Sequence, residues 1–419
     1  MLLLSTLALG NGLTSHQWIT LQAVEELPDG DLHDLLSRED IRPYLLNGAL
    51  FPDGGYAVGD DYGEMAHWEP FQTHFLDWIR ESGGDEHKAF LFGLCSHGMA
   101  DQTFDSMFME RSRVYDADYG WAWGDSMDEA TDVALAAAMG PGEVPELWFP
   151  EEFPTLYAEL GYAVEADTLE QGTQLAGLAI AAVGAFAEYP ETVEAYNAKF
   201  PWANAHIVDA ETRCSPLCEA KIVAAYWQAI WDRLEGGDGW DLPVIATVPA
   251  DGDDSQPLEA GSPESTVAVV FARGLNPESV TANLITVADS DDEEALVDLR
   301  VFYGSASHVV LIAPTQGWEP ETDYTVTVHP GIVTFDGPTL ETEFSFGFST
   351  RIPEEPEAIP LPLEACGCGA TSGGAGVWLL AFGLVFSRER ATGTRHRRET
   401  PLKPQPRSTP APSAAIPAA

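Results

Sequence analysis

Residues 89–106 read AFLFGLCSHGMADQTFDS. An apolar run, 89–95, passes directly into a segment where His97, Asp101 and Asp105 recur every four residues. Four residues is slightly more than one helical turn, so this spacing predicts a helix with one imidazole and two carboxylates along a single stripe. A polar stripe that continues a buried helix must satisfy its charges inside the protein, and a bound metal ion is one way to do so. On its own, H-x3-D more often marks an ordinary surface pair, so the rest of the chain has to decide.

Around this stretch, residues 16–237 read as mostly helical. Segments such as TQLAGLAIAAVGAFAEY (173–189) and EAKIVAAYWQAIWDRL (219–234) are rich in Ala, Leu and Trp, with Gly and Pro at the joins. Near Pro243 the texture changes. STVAVVFARGL (265–275), SVTANLITVAD (279–289), ALVDLRVFYG (295–304), HVVLIAP (308–314), DYTVTVHPG (323–331) and TEFSFGFST (342–350) are β-branched, alternating segments with a turn signal about every ten residues. That pattern predicts an antiparallel β-sandwich. The expected fold class is therefore multidomain: an all-α domain over 11–240, an all-β Ig-like sandwich over 244–352, and a single apolar C-terminal helix.

The ends of the chain carry targeting signals. MLLLSTLALG (1–10) is similar to a signal-peptide core, and cleavage after Gly10 would make Asn11 the mature terminus. Residues 353–369 read as an extended Pro/Glu linker ending in Cys366-Gly-Cys368. Residues 370–386 are uncharged and just long enough to span a membrane, and basic SRERATGTRHRR (387–398) follows, then a Pro/Ala-rich end. The Cys-Gly-Cys, apolar helix and arginines resemble the C-terminal sorting signal of myxobacterial surface proteins, which implies export and contact with a sorting machinery. Of the other cysteines, Cys95 sits in the apolar run as an expected buried thiol. Cys214 and Cys218 are spaced for a local disulfide outside the cytoplasm.

The chain has 419 residues, 45% of them hydrophobic, enough to bury a large core. Its formal charge is −47, with 67 acidic and 20 basic residues. So large an acidic excess argues against a stable nucleic-acid partner, which requires basic patches to neutralise phosphate. It fits an extracytoplasmic protein, or one whose carboxylates bind cations.

Further polar motifs join the first. TSHQWIT (14–20) holds His16, and NGALFPDGGY (47–56) holds Asp53 in an apparent Pro/Gly turn. EMAHWEPFQTHF (64–75) holds His67, Glu69 and His74, and WGDSMDEATDVAL (123–135) holds Asp128 and Asp132, again four apart. Taken in order, these five motifs resemble the zinc-dependent phospholipase C domain, with the greater likeness to the version in glycosylphosphatidylinositol-specific phospholipase D. The resemblance covers residues 11–140 well and the helices to about 237 loosely.

The resemblance implies an all-helical fold holding about three divalent metals, Zn²⁺ in the family. His67, His97 and Asp101, with Asp53 beside them, would serve the first. Asp101 would bridge to another held by His16 and the terminal amine and carbonyl of Asn11. Asp105, Asp128 and Asp132 fall on the remaining site, where the bacterial enzymes carry a more nitrogen-rich set. An all-oxygen set favours Mg²⁺, Mn²⁺ or Ca²⁺ over zinc. Five aspartates in one cleft would raise one another's pKa unless about six units of positive charge sat among them.

The implied activity is a secreted or surface-anchored metal-dependent phosphodiesterase that hydrolyses phospholipid head groups with metal-activated water, Asp53 acting as its base. A single-strand nuclease of the same fold and a non-catalytic surface adhesion protein are the alternatives. Aromatic residues near the motifs (Trp18, Trp68, Phe71, Trp78, Trp121, Trp123) read as core and cleft wall. The sandwich itself is expected to act as a spacer or adhesion module, with His308 and His329 isolated in it.

Overall fold

The computed structural model describes residues 11–117, 127–239 and 243–350, apart from 292 and 305. The signal-like start, Trp121, Trp123, the Pro/Glu linker, the apolar 370–386 segment and the basic tail lie outside the described residues. Among the described residues, no helix is long and apolar enough to cross a membrane.

The chain is helical in its N-terminal part and a β-sandwich in its C-terminal part. Thirteen α-helices are described: α1 Leu13–Glu26, α2 Asp31–Leu36, α3 Arg42–Val58, α4 Tyr62–His67, α5 Glu69–Ser82, α6 Asp85–Thr103, α7 Glu110–Tyr115, α8 Met127–Met139, α9 Phe153–Glu159, α10 Ala166–Ala187, α11 Pro190–Asn197, α12 Pro201–His206 and α13 Pro216–Leu234. At the centre is α6, whose residues from Ala89 to Thr103 are all buried. A helix buried on every side belongs in the middle of a bundle, and α1, α3, α4, α5 and α13 pack around this one.

Glycines set the closest approach. A Cβ on Gly48 of α3 would lie 2.1 Å from the Phe90 carbonyl oxygen, and one on Gly93 of α6 would lie 2.1 Å from that of Leu45. The two helices touch backbone to backbone there, which brings Asp53, a turn further along α3, beside His97 on α6.

Two local expectations change. Asp53 is not in a turn: α3 runs through Pro52 to Val58. Proline removes one backbone hydrogen bond from a helix interior, but Leu45, Leu46, Ala49, Leu50 and Phe51 are all buried along the same helix, and their packing outweighs local propensity. The stripe on α6 is also not one regular helix. From Phe104 to Met109 the backbone is π-helical. A π-turn holds more residues than an α-turn, so the step from Asp101 to Asp105 falls short of a full turn.

The sandwich contains β1 Val244–Val248, β2 Asp253–Gln256, β3 Val267–Phe271, β4 Ile285–Asp289, β5 Val297–Val301, β6 Val309–Pro314, β7 Asp323–Val328 and β8 Phe344–Thr350. Its sheets run β1-β3-β6-β5 and β2-β8-β7-β4. All pairings are antiparallel except β2 with β8.

Both faces of the first sheet are covered. Val267, Val269, Phe271, Val310 and Ile312 point into the sandwich core, while Ala268, Val270, Val309 and Leu311 join the core of the helical part. This explains why VAVVF and VVLI are continuous apolar runs rather than alternating ones.

The sandwich is thus no detached spacer. Glu69 on α5 is 1% exposed. It accepts hydrogen bonds from Arg233 of α13 at 2.8 Å, from Arg273 beyond β3 at 3.0 Å, and from the Gly274 N–H. His308, expected to be isolated, is buried against Glu69 and the Tyr226 ring. His74 pairs with Glu159 at the surface, away from the stripe. Cys95 is buried as expected, whereas Cys214 and Cys218 are unbonded thiols with sulfurs 3.4 Å apart.

Candidate metal centre

The centre is built from α1, α3, α4 and α6. His97 directs Nδ1 to the Ala49 carbonyl at 2.7 Å, and His67 directs Nδ1 to the Gly63 carbonyl at 2.7 Å. A carbonyl only accepts, so each Nδ1 carries the hydrogen and each neutral ring presents a bare lone pair on Nε2. Those two Nε2 atoms are 2.9 Å apart. Two lone pairs facing at that distance require a shared proton or a cation.

Asp101 Oδ2 lies 3.3 Å from His67 Nε2 and 3.4 Å from His97 Nε2. Asp53 Oδ1 is 3.9 Å from His97 Nε2. His16 stacks on His97 with ring centroids 3.6 Å apart and reaches to 3.1 Å from Asp101 Oδ1. The backbone nitrogen of Asn11 donates to that same oxygen at 2.9 Å.

Two ligand sets emerge. His67, His97 and Asp101 form one, and His16, Asp53 and His97 the other, with the donor atoms of each set within 4.8 Å of one another. Gly98 makes this possible on the α4 side, since a Cβ there would lie 2.2 Å from the His67 carbonyl oxygen.

The number of orphaned polar atoms favours cations over a single proton. Both nitrogens of His16, Oδ1 of Asp53, Oδ2 of Asp101 and Oδ1 of Asp105 are buried without a hydrogen-bond partner. The contacts from His16 and His67 to Asp101 are short in distance but lack hydrogen-bond geometry. Buried polar atoms without partners are costly, and a ring of donors that all point lone pairs inward is the arrangement a metal satisfies.

The ionisation of the site follows from burial and mutual charge. Burial pushes the Asp53 carboxyl up to about 6, against the attraction of His97. Burial acts the same way on Asp101, yet His16 and His97 outweigh it and hold that carboxyl well below the usual range. Burial and the neighbouring His16 lower His97. His67 rises despite burial because Asp101 faces it.

The acidic residues split. Burial and Asp101 drive Asp105 up, while burial and the charges of Asp105, Asp53 and Asp101 drive Asp128 up, and among the described residues neither carboxylate joins the histidines in a three-donor set. Asp132 is differently engaged. Its oxygens accept from the N–H of Thr14 at 3.1 Å, the N–H of Ser15 at 2.7 Å and the Ser15 hydroxyl at 2.9 Å. The N-cap of α1 is Gly12, which has no side chain to satisfy the first turn, and Asp132 performs that role from α8.

Two residues of the site lacked a sequence signal. Glu219 on α13 is fully buried, accepts from the Asn11 side chain at 3.1 Å, and is pushed well above the carboxylate range by burial, Cys218 and Asp101. A lone acid in RCSPLCEAK reads as an ordinary first-turn residue. Tyr303 of the sandwich donates its hydroxyl to Asp105 Oδ2, a contact across what reads as a domain boundary.

Residues 241–350 match the family described as bacterial Ig-like domain. This part of the chain is a bacterial Ig-like domain. No curated protein sequence matches the chain. Among solved structures, the S-layer protein SbsC is similar over 77% of this chain and 46% of its own, at 12% identity and a TM-score of 0.22. The N-terminal part of SbsC is similar over 77% and 80%, at 11% identity and a TM-score of 0.21. The chain thus spans less than half of the longer SbsC structure.

Proposed function

We propose that the helical part is a metal-dependent phosphodiesterase of the zinc-dependent phospholipase C type, acting outside the cytoplasm on phospholipid head groups. The observation that carries this reading is the facing pair of His67 and His97 Nε2 atoms, 2.9 Å apart and bridged on one side by Asp101. Imidazole and carboxylate in this mixture suit zinc. Asp105 and Asp128 offer only oxygen and suit a harder ion.

Divalent ions held there would neutralise a phosphodiester and lower the pKa of water. The chain's own residues do the rest. The carbonyls of Ala49 and Gly63 fix both ring tautomers. Asp101 stays ionised and faces three imidazoles. Asp53, 3.9 Å from His97 Nε2, would orient and deprotonate the attacking water. The Ig-like domain supports an extracytoplasmic location.

The test uses the purified full chain with Zn²⁺ and phosphatidylcholine vesicles, and product analysis by mass spectrometry. Diacylglycerol or phosphatidic acid, lost in Asp53→Asn with metal content retained, is the expected result. Metals bound without turnover of any phospholipid would shift the reading to the single-strand nuclease or to a non-catalytic surface protein.

A further inference from the structure

We propose that the Ig-like domain completes the metal centre: Tyr303 is a positioning residue that holds Asp105 in its ligating orientation. The inference rests on the metal-dependent reading of the helical part. Tyr303 follows β5 and adopts a φ of +61°, a left-handed backbone that side chains rarely adopt. Residues held in such conformations persist where surrounding structure fixes them, and they cluster at functional sites.

Three contacts fix this one. The hydroxyl donates to Asp105 Oδ2, which leaves Oδ1 buried and without a partner. The ring packs edge-on against Trp68, the neighbour of His67, with centroids 5.3 Å apart. The far end of the same loop is pinned beside Asp101, where the Ser307 hydroxyl at 3.1 Å and the His308 N–H at 2.8 Å both donate to Gln102 Oε1. Tyr303 therefore meets Asp105 itself and the neighbour of His67, while Ser307 and His308 meet the neighbour of Asp101. Next to it lies a cavity of about 260 Å³, lined by Asp105, Met109, Arg113, Phe302 and Tyr303, which gives the site a wall made partly of sandwich.

The hydroxyl acts on the carboxylate from outside. With Oδ2 engaged by the hydroxyl, Oδ1 is the buried oxygen left without a hydrogen bond, so a cation taken by Asp105 would meet that oxygen. Contacts of this kind typically change metal affinity by about 10–100-fold.

The experiment titrates Zn²⁺ and Mn²⁺ into the chelator-stripped full chain against a chromophoric chelator, for the parent, Tyr303→Phe and Arg300→Ala. Arg300 lines the same cavity with its guanidinium over the Phe302 ring, and its loss is the control that disturbs the neighbour of Tyr303 while keeping the Tyr303 hydroxyl. The expected result is that Tyr303→Phe binds one ion about tenfold or more weakly and the others normally, with no greater loss of stability in the stripped protein than one buried hydrogen bond accounts for, and Arg300→Ala like the parent. Equal affinities in Tyr303→Phe and the parent would overturn the inference and leave the metal reading intact. Uniform weakening of all ions with a lowered melting temperature would overturn it in favour of a general structural role. A parent that binds no ion would overturn this inference together with the metal reading.

Discussion

Glu69 of α5 and Arg273 of the sandwich meet 3.0 Å apart, both buried, with Arg233 of α13 on the same carboxylate oxygen. A buried carboxylate serving two guanidiniums and a backbone N–H ties two helices and a sheet through one side chain. Removing it takes the carboxylate from two buried arginines, leaving Arg233 on Thr73 and Arg273 on Asp336 and the Asp238 carbonyl, and breaking a buried pair costs about 3–5 kcal/mol. Glu69→Ala should lower the urea midpoint and make the helical and sandwich parts melt separately by calorimetry. A single unshifted transition would show that the seam is held by apolar packing alone.

Acid should loosen the same seam. Burial raises Glu69, but Arg233, His308 and Arg273 outweigh it and hold the carboxyl below its ordinary 4.5. Its stabilising effect is present above that value and fades as pH falls through the folded one. His308 is lowered from 6.5, chiefly by burial, so the unfolded chain takes up its proton first and stability declines as pH drops below about 6.5. Unfolding free energy should therefore fall in two stages, the first as pH drops below about 6.5 and the second as it drops below about 4.5. In His308→Gln, titrated with urea, the first stage should be reduced.

The closest helix crossing allows little change. Gly93→Ala would put a methyl group 2.1 Å from the Leu45 carbonyl oxygen, and overpacking of this kind costs about 1–3 kcal/mol. Because the strain falls between α3 and α6, it should also move Asp53 away from His97. Activity should drop more than the melting temperature implies.

Divalent ions should stabilise the protein and chelators should destabilise it. A ligand present at 100 times its Kd adds about 2.7 kcal/mol. Zn²⁺ should raise the melting temperature of the stripped protein, and His67→Ala should reduce that rise. If the all-oxygen position takes a harder ion, metal analysis of protein grown with Mn²⁺ should find fewer than three zincs per chain.

Asp132 offers a test of capping against ligation. In chelator-treated protein, Asp132→Ala should cost about 0.5–2 kcal/mol, as loss of a helix cap does, while Asp132→Asn should retain most of the stability. A carboxylate needed only for metal would show no effect without metal.

Much of this was legible in the sequence. The switch near Pro243 from helical to alternating segments marks the division into helices and strands, and the sandwich over 241–350 matches its family. His16, Asp53, His67, His97 and Asp101 are separated by up to 85 residues in sequence, yet their ordered motifs point to the cluster that the fold assembles. Tertiary packing concealed the rest. Pro52 suggested a turn because local propensity knows nothing of α6 beneath it. Asp132 resembled Asp128 in spacing, but the side-chain-free start of α1 engages it. Glu219 and Tyr303 carry no local signal, because each matters only through a partner more than a hundred residues away.

The sheet β1-β3-β6-β5 has a practical consequence. Cut from the chain at its family boundaries, the Ig-like domain would expose Ala268, Val270, Val309 and Leu311 to water as one flat apolar surface. Such a fragment would self-associate rather than behave as an independent bead on a string. In this protein the Ig-like domain cannot be shuffled like a cassette, because half of its inner sheet is the floor of the neighbouring fold.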